Sequence, residues 1–325
     1  MTSVQRVVVV GQGYVGLPLA MAAVTAGFDV VGFDLDVDRT KNLADGTSFT
    51  ADVPDEELHR ALATGRYTAT DRADACAGFD IAVITVPTPL REGDPDLSYI
   101  AAAASTLAAH LRRGSTVVLE STTYPGTTVE LMVPLLEAGS GLRAGADFAV
   151  GYSPERIDPG NATWKFGNTP KVVSGIDQAS LDKVAAFYGS IVDRVVAVAS
   201  TQVAELAKLL ENTFRHVNIA LINELAIFAA ELDIDIWAAI DAAATKPFGY
   251  MTRRRRPCGG RCRTTVGCAT SARCSTRRSV CGRAAAWPGI SRCWCSTRPS
   301  DRPRFSCSTP RGTSRVMRRR IGIAT

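Results

Sequence analysis

After Met251 the sequence contains no leucine, and no Lys, Glu, Asn, Gln, His or Tyr. Val, Ile and Phe together supply only seven of those last 74 residues. That falls under the roughly 20% below which a highly charged segment fails to bury a core. The same stretch carries 19 Arg and a single acid, Asp301, so its charge is near +18. Residues 252–325 are therefore expected to form a disordered or loosely collapsed tail. A truncation or a change of reading frame near codon 252 is the expected cause, because a GC-rich gene read in another frame yields Arg, Ala, Pro, Cys, Ser, Gly and Trp.

Cysteine is almost missing before that point. Cys76 stands alone, and the other eight cysteines follow Met251. Those eight include no C-x2-C pair and have no His among them, so no metal site is expected. The runs "RRRR" and "RVMRRR" could grip phosphates, but no fold accompanies them, and no nucleic-acid partner is expected. The chain has only three His, at 59, 110 and 216, and none stands in a catalytic pattern. Long apolar runs are lacking too. "HVNIALINELAIFAAELD" is interrupted by Asn218, Asn223 and Glu224, which predicts a buried helix and no membrane span. The N-terminus lacks a basic segment followed by a long apolar one, so a cytoplasmic protein without a signal peptide is expected.

What remains is an acidic stretch of 251 residues with 18 basic and 31 acidic side chains. Its first 200 residues alternate Val- and Ile-rich runs with helical stretches. Strands are predicted at 6–10, 29–34, 80–86, 115–122, 147–153, 171–175 and 194–199. Their near-continuous apolar character fits strands buried on both faces of a parallel sheet. The predicted class is α/β, a Rossmann-like doubly wound parallel sheet with right-handed crossovers. From Thr201 about nine turns of helical spacing run without Pro or Gly, which points to a helix that spans two domains or builds a subunit interface. A homodimer through this helix is expected. The predicted organisation is a dinucleotide-binding domain over 1–200, a partial central helical region over 201–251, and the tail over 252–325.

"VVVVGQGYVG" places Gly11, Gly13 and Gly16 in a G-x-G-x-x-G pattern between a strand and a helix. Gly11 permits the tight turn, Gly13 lets the backbone approach a pyrophosphate, and Gly16 lets helix pack on strand. Tyr14 and Val15 lie inside this loop and are expected beside the cofactor, whose phosphates would meet the N–H groups at the helix start. Asp34 ends the second strand, where a carboxylate can bond a ribose hydroxyl and repel a 2′-phosphate. NAD is the predicted cofactor. Arg39, five residues on, is a further cofactor candidate that weakens the discrimination against NADP.

Four more stretches complete a pattern: "ITVPTPL" (84–90), "ESTTYPGTT" (120–128), "GYSPERIDPGN" (151–161) and "AELAKLLENTFRHVNIALINE" (204–224). With the glycine loop, they resemble the UDP-glucose/GDP-mannose dehydrogenase family, and most of all its UDP-N-acetylhexosamine 6-dehydrogenase branch. The likeness runs from about residue 6 to Met251. It implies NAD-dependent oxidation of the C6 alcohol of a UDP-sugar to a carboxylate for polysaccharide biosynthesis. Lys208 is implied to support the alkoxide and oxyanion, Asn212 to help hold the oxyanion, and Arg215 to contact substrate. Glu155 is implied to position or deprotonate water, with Arg156 and Ile157 along the substrate. Thr122 is implied near the nicotinamide and the water, and Thr88 at the cofactor. The family's Gly-Gly-His-Cys loop, whose cysteine captures the C6 aldehyde, has no counterpart after Met251. Cys258 and Cys262 lie near the place but not in the pattern. Turnover is therefore expected to be impaired, the alternative being an inactive NAD-binding dimer remnant.

Overall fold

The computed structural model describes residues 4–158, 161 and 163–246. The expectations for residues 252–325, Cys258 and Cys262 among them, lie outside these. Residues 1–239 form one compact unit; of a second, residues 240–325, only 240–246 are described.

The first unit opens with β1 (Arg6–Val10), α1 (Gly16–Thr25), β2 (Asp29–Phe33), α2 (Val37–Ala44), α3 (Asp55–Ala63) and β3 (Tyr67–Thr70). Next come β4 (Ile81–Ile84), the hairpin strands β5 (Leu90–Arg91) and β6 (Asp94–Pro95), α4 (Ser98–Ala108), β7 (Thr116–Leu119), α5 (Val133–Ser140) and β8 (Ala149–Tyr152). β9 (Lys171–Gly175), α6 (Gln178–Gly189), β10 (Val195–Ala197), α7 (Thr201–Glu231) and α8 (Ile236–Ala243) complete the described chain. Eight of these strands form one sheet in the order β10-β9-β8-β7-β4-β1-β2-β3.

The valine run of β1 has a simple cause. Val7 and Val9 enter a core with Leu17, Leu43, Leu58 and Phe187 on one face of the sheet. Val8 and Val10 enter a second core with Ile100, Leu107, Leu136 and Phe148 on the other. Because successive strand residues point to opposite faces, a strand covered on both sides loses its polar alternation. Each fully buried side chain of this kind contributes about 1.5–3 kcal/mol.

The sheet is not parallel throughout, which corrects the sequence expectation at one edge. β8 and β9 pair antiparallel, Gly151 opposite Gly175 and Tyr152 opposite Ser174, and β10 runs parallel to β9. A parallel neighbour requires a crossover that returns the chain to its starting end. Between β8 and β9 the described residues contain no helix, so the chain turns back and pairs in the opposite sense. β3, α2 and α3 add to the predicted elements. The helical segment between β7 and β8 starts as a π-helical turn, Thr128–Met132, before α5. Pro134, at the start of α5, has no N–H to continue the preceding ladder.

α7 is the long helix expected from Thr201. Ser200 caps it, its side chain accepting from the Val203 N–H at 3.3 Å. Its buried residues are Thr201, Ala204, Glu205, Lys208 and Ala229. Leu210, Phe214, Val217, Leu221 and Ile227 are exposed, so the stretch expected as a buried helix lies mostly open along α7. No helix of the described residues is long and apolar enough to cross a membrane.

Candidate functional site

The loops that follow β1, β2, β4, β7 and β8 all leave the sheet at its carboxyl edge, where open α/β folds place their ligands. The first is the glycine loop. Gly11 has φ +93°, and a Cβ there would meet the Thr85 carbonyl oxygen at 2.9 Å. A Cβ on Gly16 would collide with the Gly11 carbonyl oxygen. Gly13 differs, since a Cβ there would meet nothing within 4 Å. That open face is what a closely approaching ligand requires. Val15 leads into α1, and exposed Tyr14 packs edge-on against Phe49, ring centroids 5.5 Å apart.

Asp34 follows β2 and is buried beneath this loop. Its Oδ2 accepts from the Gln12 N–H at 2.7 Å and pairs with Arg39 at 2.9 Å; its Oδ1 accepts from the Asp36 N–H at 2.9 Å. Arg39 also lies over the Phe49 ring, 5.4 Å from its centroid. Gln12 is fully buried, donating to the Val9 carbonyl and accepting from the Tyr67 hydroxyl at 2.8 Å. Burial pushes the Tyr67 hydroxyl pKa up, and the Asp34 charge adds to it. This carboxylate and the open N–H loop fit a dinucleotide: a hydroxyl acceptor stands beside donors for phosphate.

The loops after β4 and β7 are tied together, because the Thr88 hydroxyl donates to the Thr122 carbonyl oxygen at 2.8 Å. Glu155 follows β8 and is buried. The Ile157 N–H donates to its Oε1, while its Oε2 is buried without a hydrogen-bond partner. Lys208, from the third turn of α7, donates to the Glu155 backbone carbonyl oxygen, so two of the four sequence-predicted catalytic residues adjoin there. Burial pushes the Lys208 pKa down, opposed by the charges of Glu155 and Glu211. Asn212 and Arg215 pair with each other, the guanidinium donating to Asn212 Oδ1 at 2.9 Å. Arg156 is held by Glu211 at 2.6 Å and by the Pro170 carbonyl at 2.7 Å.

Residues 5–192 match the NAD-binding domain of the UDP-glucose/GDP-mannose dehydrogenase family, and residues 202–273 match its central domain. The chain belongs to that family. The second match runs past Met251 to residue 273, which corrects the expectation that the likeness stops at Met251. A relative in this family, the UDP-N-acetyl-D-mannosamine dehydrogenase of Pyrococcus horikoshii, is 38% identical over 243 residues, covering 74% of this chain and 58% of the relative. The UDP-N-acetyl-D-glucosamine 6-dehydrogenase of Pseudomonas aeruginosa is 41% identical over 259 residues, covering 79% and 60%. The solved P. horikoshii structure superposes with a TM-score of 0.72 at 38% identity, covering 76% of this chain and 59% of that one. The chain thus spans about 60% of the length of the curated relatives it matches.

Several site residues carry no role that the sequence pattern assigns, although Glu120 opens the stretch "ESTTYPGTT". Gln12 fills a variable position of the glycine pattern, and Glu211 reads as one more charge on a helix. Glu120 and Lys171 sit at strand ends 51 residues apart and form a buried ion pair. A charged residue adjoining a strand that is otherwise buried on both faces was the available clue. Cys76 is buried in a short 3-10 turn, and burial pushes its thiol pKa up to about 11, consistent with an inert core residue. No cluster of His, Cys, Asp and Glu that could hold a metal ion occurs among the described residues.

Proposed function

We propose that the chain is an NAD-dependent nucleotide-sugar 6-dehydrogenase whose turnover is impaired by the sequence after Met251. The observation that carries the reading is Lys208 meeting Glu155 at the sheet edge that also holds the glycine loop and Asp34. NAD, when bound, supplies the hydride acceptor. Gly11, Gly13, Gly16, Tyr14 and Val15 hold its phosphates, and Asp34, with Arg39 beside it, holds its ribose. Thr88 braces Thr122, which faces the reacting end. The substrate is a UDP-sugar of the N-acetylhexosamine or glucose type.

Lys208 places a cation where negative charge develops on the C6 oxygen, and its lowered pKa eases proton movement at that atom. Asn212 adds a donor one turn further along α7, and Arg215 fixes its orientation and reaches the substrate. Glu155 orients or deprotonates water, while Arg156 and Ile157 line the sugar. Two copies pair through the exposed apolar side of α7. Covalent capture of the aldehyde needs a held cysteine, and neither Cys258 nor Cys262 stands in the family pattern. This favours a second reading, an NAD-binding dimer without turnover.

Calorimetric titration with NAD and NADP tests the cofactor assignment. NAD should bind tighter, and Asp34→Ala should weaken it by about 10-fold or more, the loss of a charged hydrogen-bond partner. Equal or tighter NADP binding refutes it. Mass spectrometry of products from UDP-N-acetylglucosamine, UDP-N-acetylmannosamine and UDP-glucose should show no uronate. Robust uronate abolished by Cys258→Ser or Cys262→Ser overturns the impairment.

A further inference from the structure

Beneath Glu155 lies a second set of ionisable groups that the proposed reaction leaves without a role. Glu120, the residue after β7, is fully buried. Its Oε1 pairs with Lys171 Nζ at the start of β9, and its Oε2 accepts from the Tyr188 hydroxyl on α6. Lys171 is itself buried, its Nζ 5.1 Å from the Tyr188 ring centroid and 5.5 Å from that of Phe166. The same Nζ lies 3.8 Å from Glu155 Oε2, the buried oxygen that lacks a hydrogen-bond partner. One ammonium is thus clamped by β7 and α6 and faces a carboxylate on the functional loop.

Stability alone does not account for this arrangement. Taking an ammonium, a carboxylate and a second carboxyl out of water carries a desolvation penalty of several kcal/mol for each ion, and well-packed apolar residues do as well or better. The cluster has instead the form of a proton-binding unit with one fixed cation and two carboxyls. Other charged or titratable groups face it from several elements. Tyr152 on β8 lies within the field of Glu120 and of Glu205, Lys208 on α7 adjoins Glu155, and Glu211 and Arg215 adjoin Lys208.

We propose that Lys171, anchored by Glu120 and Tyr188, is a positioning residue for Glu155, orienting its carboxylate from behind and coupling proton binding at Glu155 to proton release at Glu120. Its catalytic use rests on the reading of Glu155 as the base given above; the coupling itself does not. When Glu155 takes a proton from water, the water O–H bond breaks, the water oxygen adds to the substrate carbonyl carbon, and an O–H bond forms on Glu155, whose charge is lost. Glu120 is then less disfavoured as an anion, its O–H breaks, and that proton leaves to solvent. The charge of the cluster stays constant across the step. Burial, with the charge of Glu155 adding and that of Lys171 opposing, pushes the Glu120 pKa up to about 7, so the exchange falls in the neutral range.

Carboxyl NMR of the full chain labelled at glutamate Cδ tests this, with Glu120→Gln identifying the Glu120 signal. Glu155→Gln should lower the Glu120 midpoint by at least about one pH unit, and Lys171→Met should raise it by at least as much. A midpoint that moves by less than about 0.3 in Glu155→Gln overturns the coupling, since close charges shift one another by about 1–3 units. Where Lys171→Met loses its far-UV circular dichroism, the near-isosteric Glu155→Gln arm alone decides. Titrating the wild-type chain with NAD separates the two readings. Coupling without NAD binding overturns the proposed function and supports this inference; NAD binding without coupling does the reverse.

Discussion

Glu205 offers the sharpest test of how α7 is fastened to the sheet domain. It is fully buried, and its carboxylate takes three donors from one short stretch. Oε2 accepts from the Gly126 N–H at 2.6 Å, and Oε1 accepts from the Thr128 N–H at 2.9 Å and the Thr128 hydroxyl at 2.7 Å. These are donors at the start of the π-helical turn, where a carboxylate completes orphan N–H groups and meets the positive end of the dipole. Glu205→Ala leaves all three without a partner inside the protein. An unsatisfied buried donor costs about 1–3 kcal/mol, so leaving three of them costs about 3 kcal/mol or more. Urea denaturation at pH 7, followed by circular dichroism, should therefore report a loss of about 3 kcal/mol or more. Thr128→Val removes one donor only, and its coupling to Glu205 should be about 1.5–3 kcal/mol in a double-mutant cycle. A Glu205→Ala loss under about 1 kcal/mol, or strictly additive substitutions, would refute the reasoning and leave Lys208 positioned by something other than this clamp.

Glu120 makes stability depend on pH. Its pKa is raised from the usual 4.5 to about 7, so its contribution is complete below about pH 4.5 and is lost as pH rises through about 7. Over that window the wild type should lose on the order of 3 kcal/mol in urea unfolding through this group, and Glu120→Gln should flatten the slope. Gly13→Ala separates ligand approach from folding. Its Cβ meets nothing within 4 Å, so stability should change by less than about 1 kcal/mol while NAD affinity in calorimetry falls by about 10-fold or more. Unchanged affinity would remove the glycine loop from the cofactor site.

The part of the fold that sequence patterning reveals is the part that depends on burial. β1, β2, β4, β7 and β8 read as strands because both faces are covered, and α7 reads as one helix because nothing interrupts its spacing. β3 escaped because "YTAT" at 67–70 is short and half polar, and α2 and α3 because each offers only two buried residues. The direction of β9 was illegible for a different reason, since a strand's composition is the same whichever way it runs. In the site, Gly11, Gly13, Gly16 and Asp34 announce themselves by spacing within one strand–helix–strand unit. Lys208 and Glu155 needed the family likeness, and Glu120, Lys171 and Tyr188 needed the sheet, which alone brings residues from three distant elements together.

The earliest of the described strands to be synthesised ends up inside the sheet, between two others. Val7 pairs with Val30 on one side and with Ile81 on the other. At about 5–20 residues per second, the second neighbour is synthesised roughly 4–15 s after the first strand. Throughout that interval "RVVVV" has at least one open edge and an apolar surface on each face, with Arg6 its only charge. Such a segment pairs readily with another nascent copy of itself. The yield of folded protein is therefore a race between elongation to β4 and encounter with a neighbouring chain, which slower translation or crowded polysomes would tip toward aggregation.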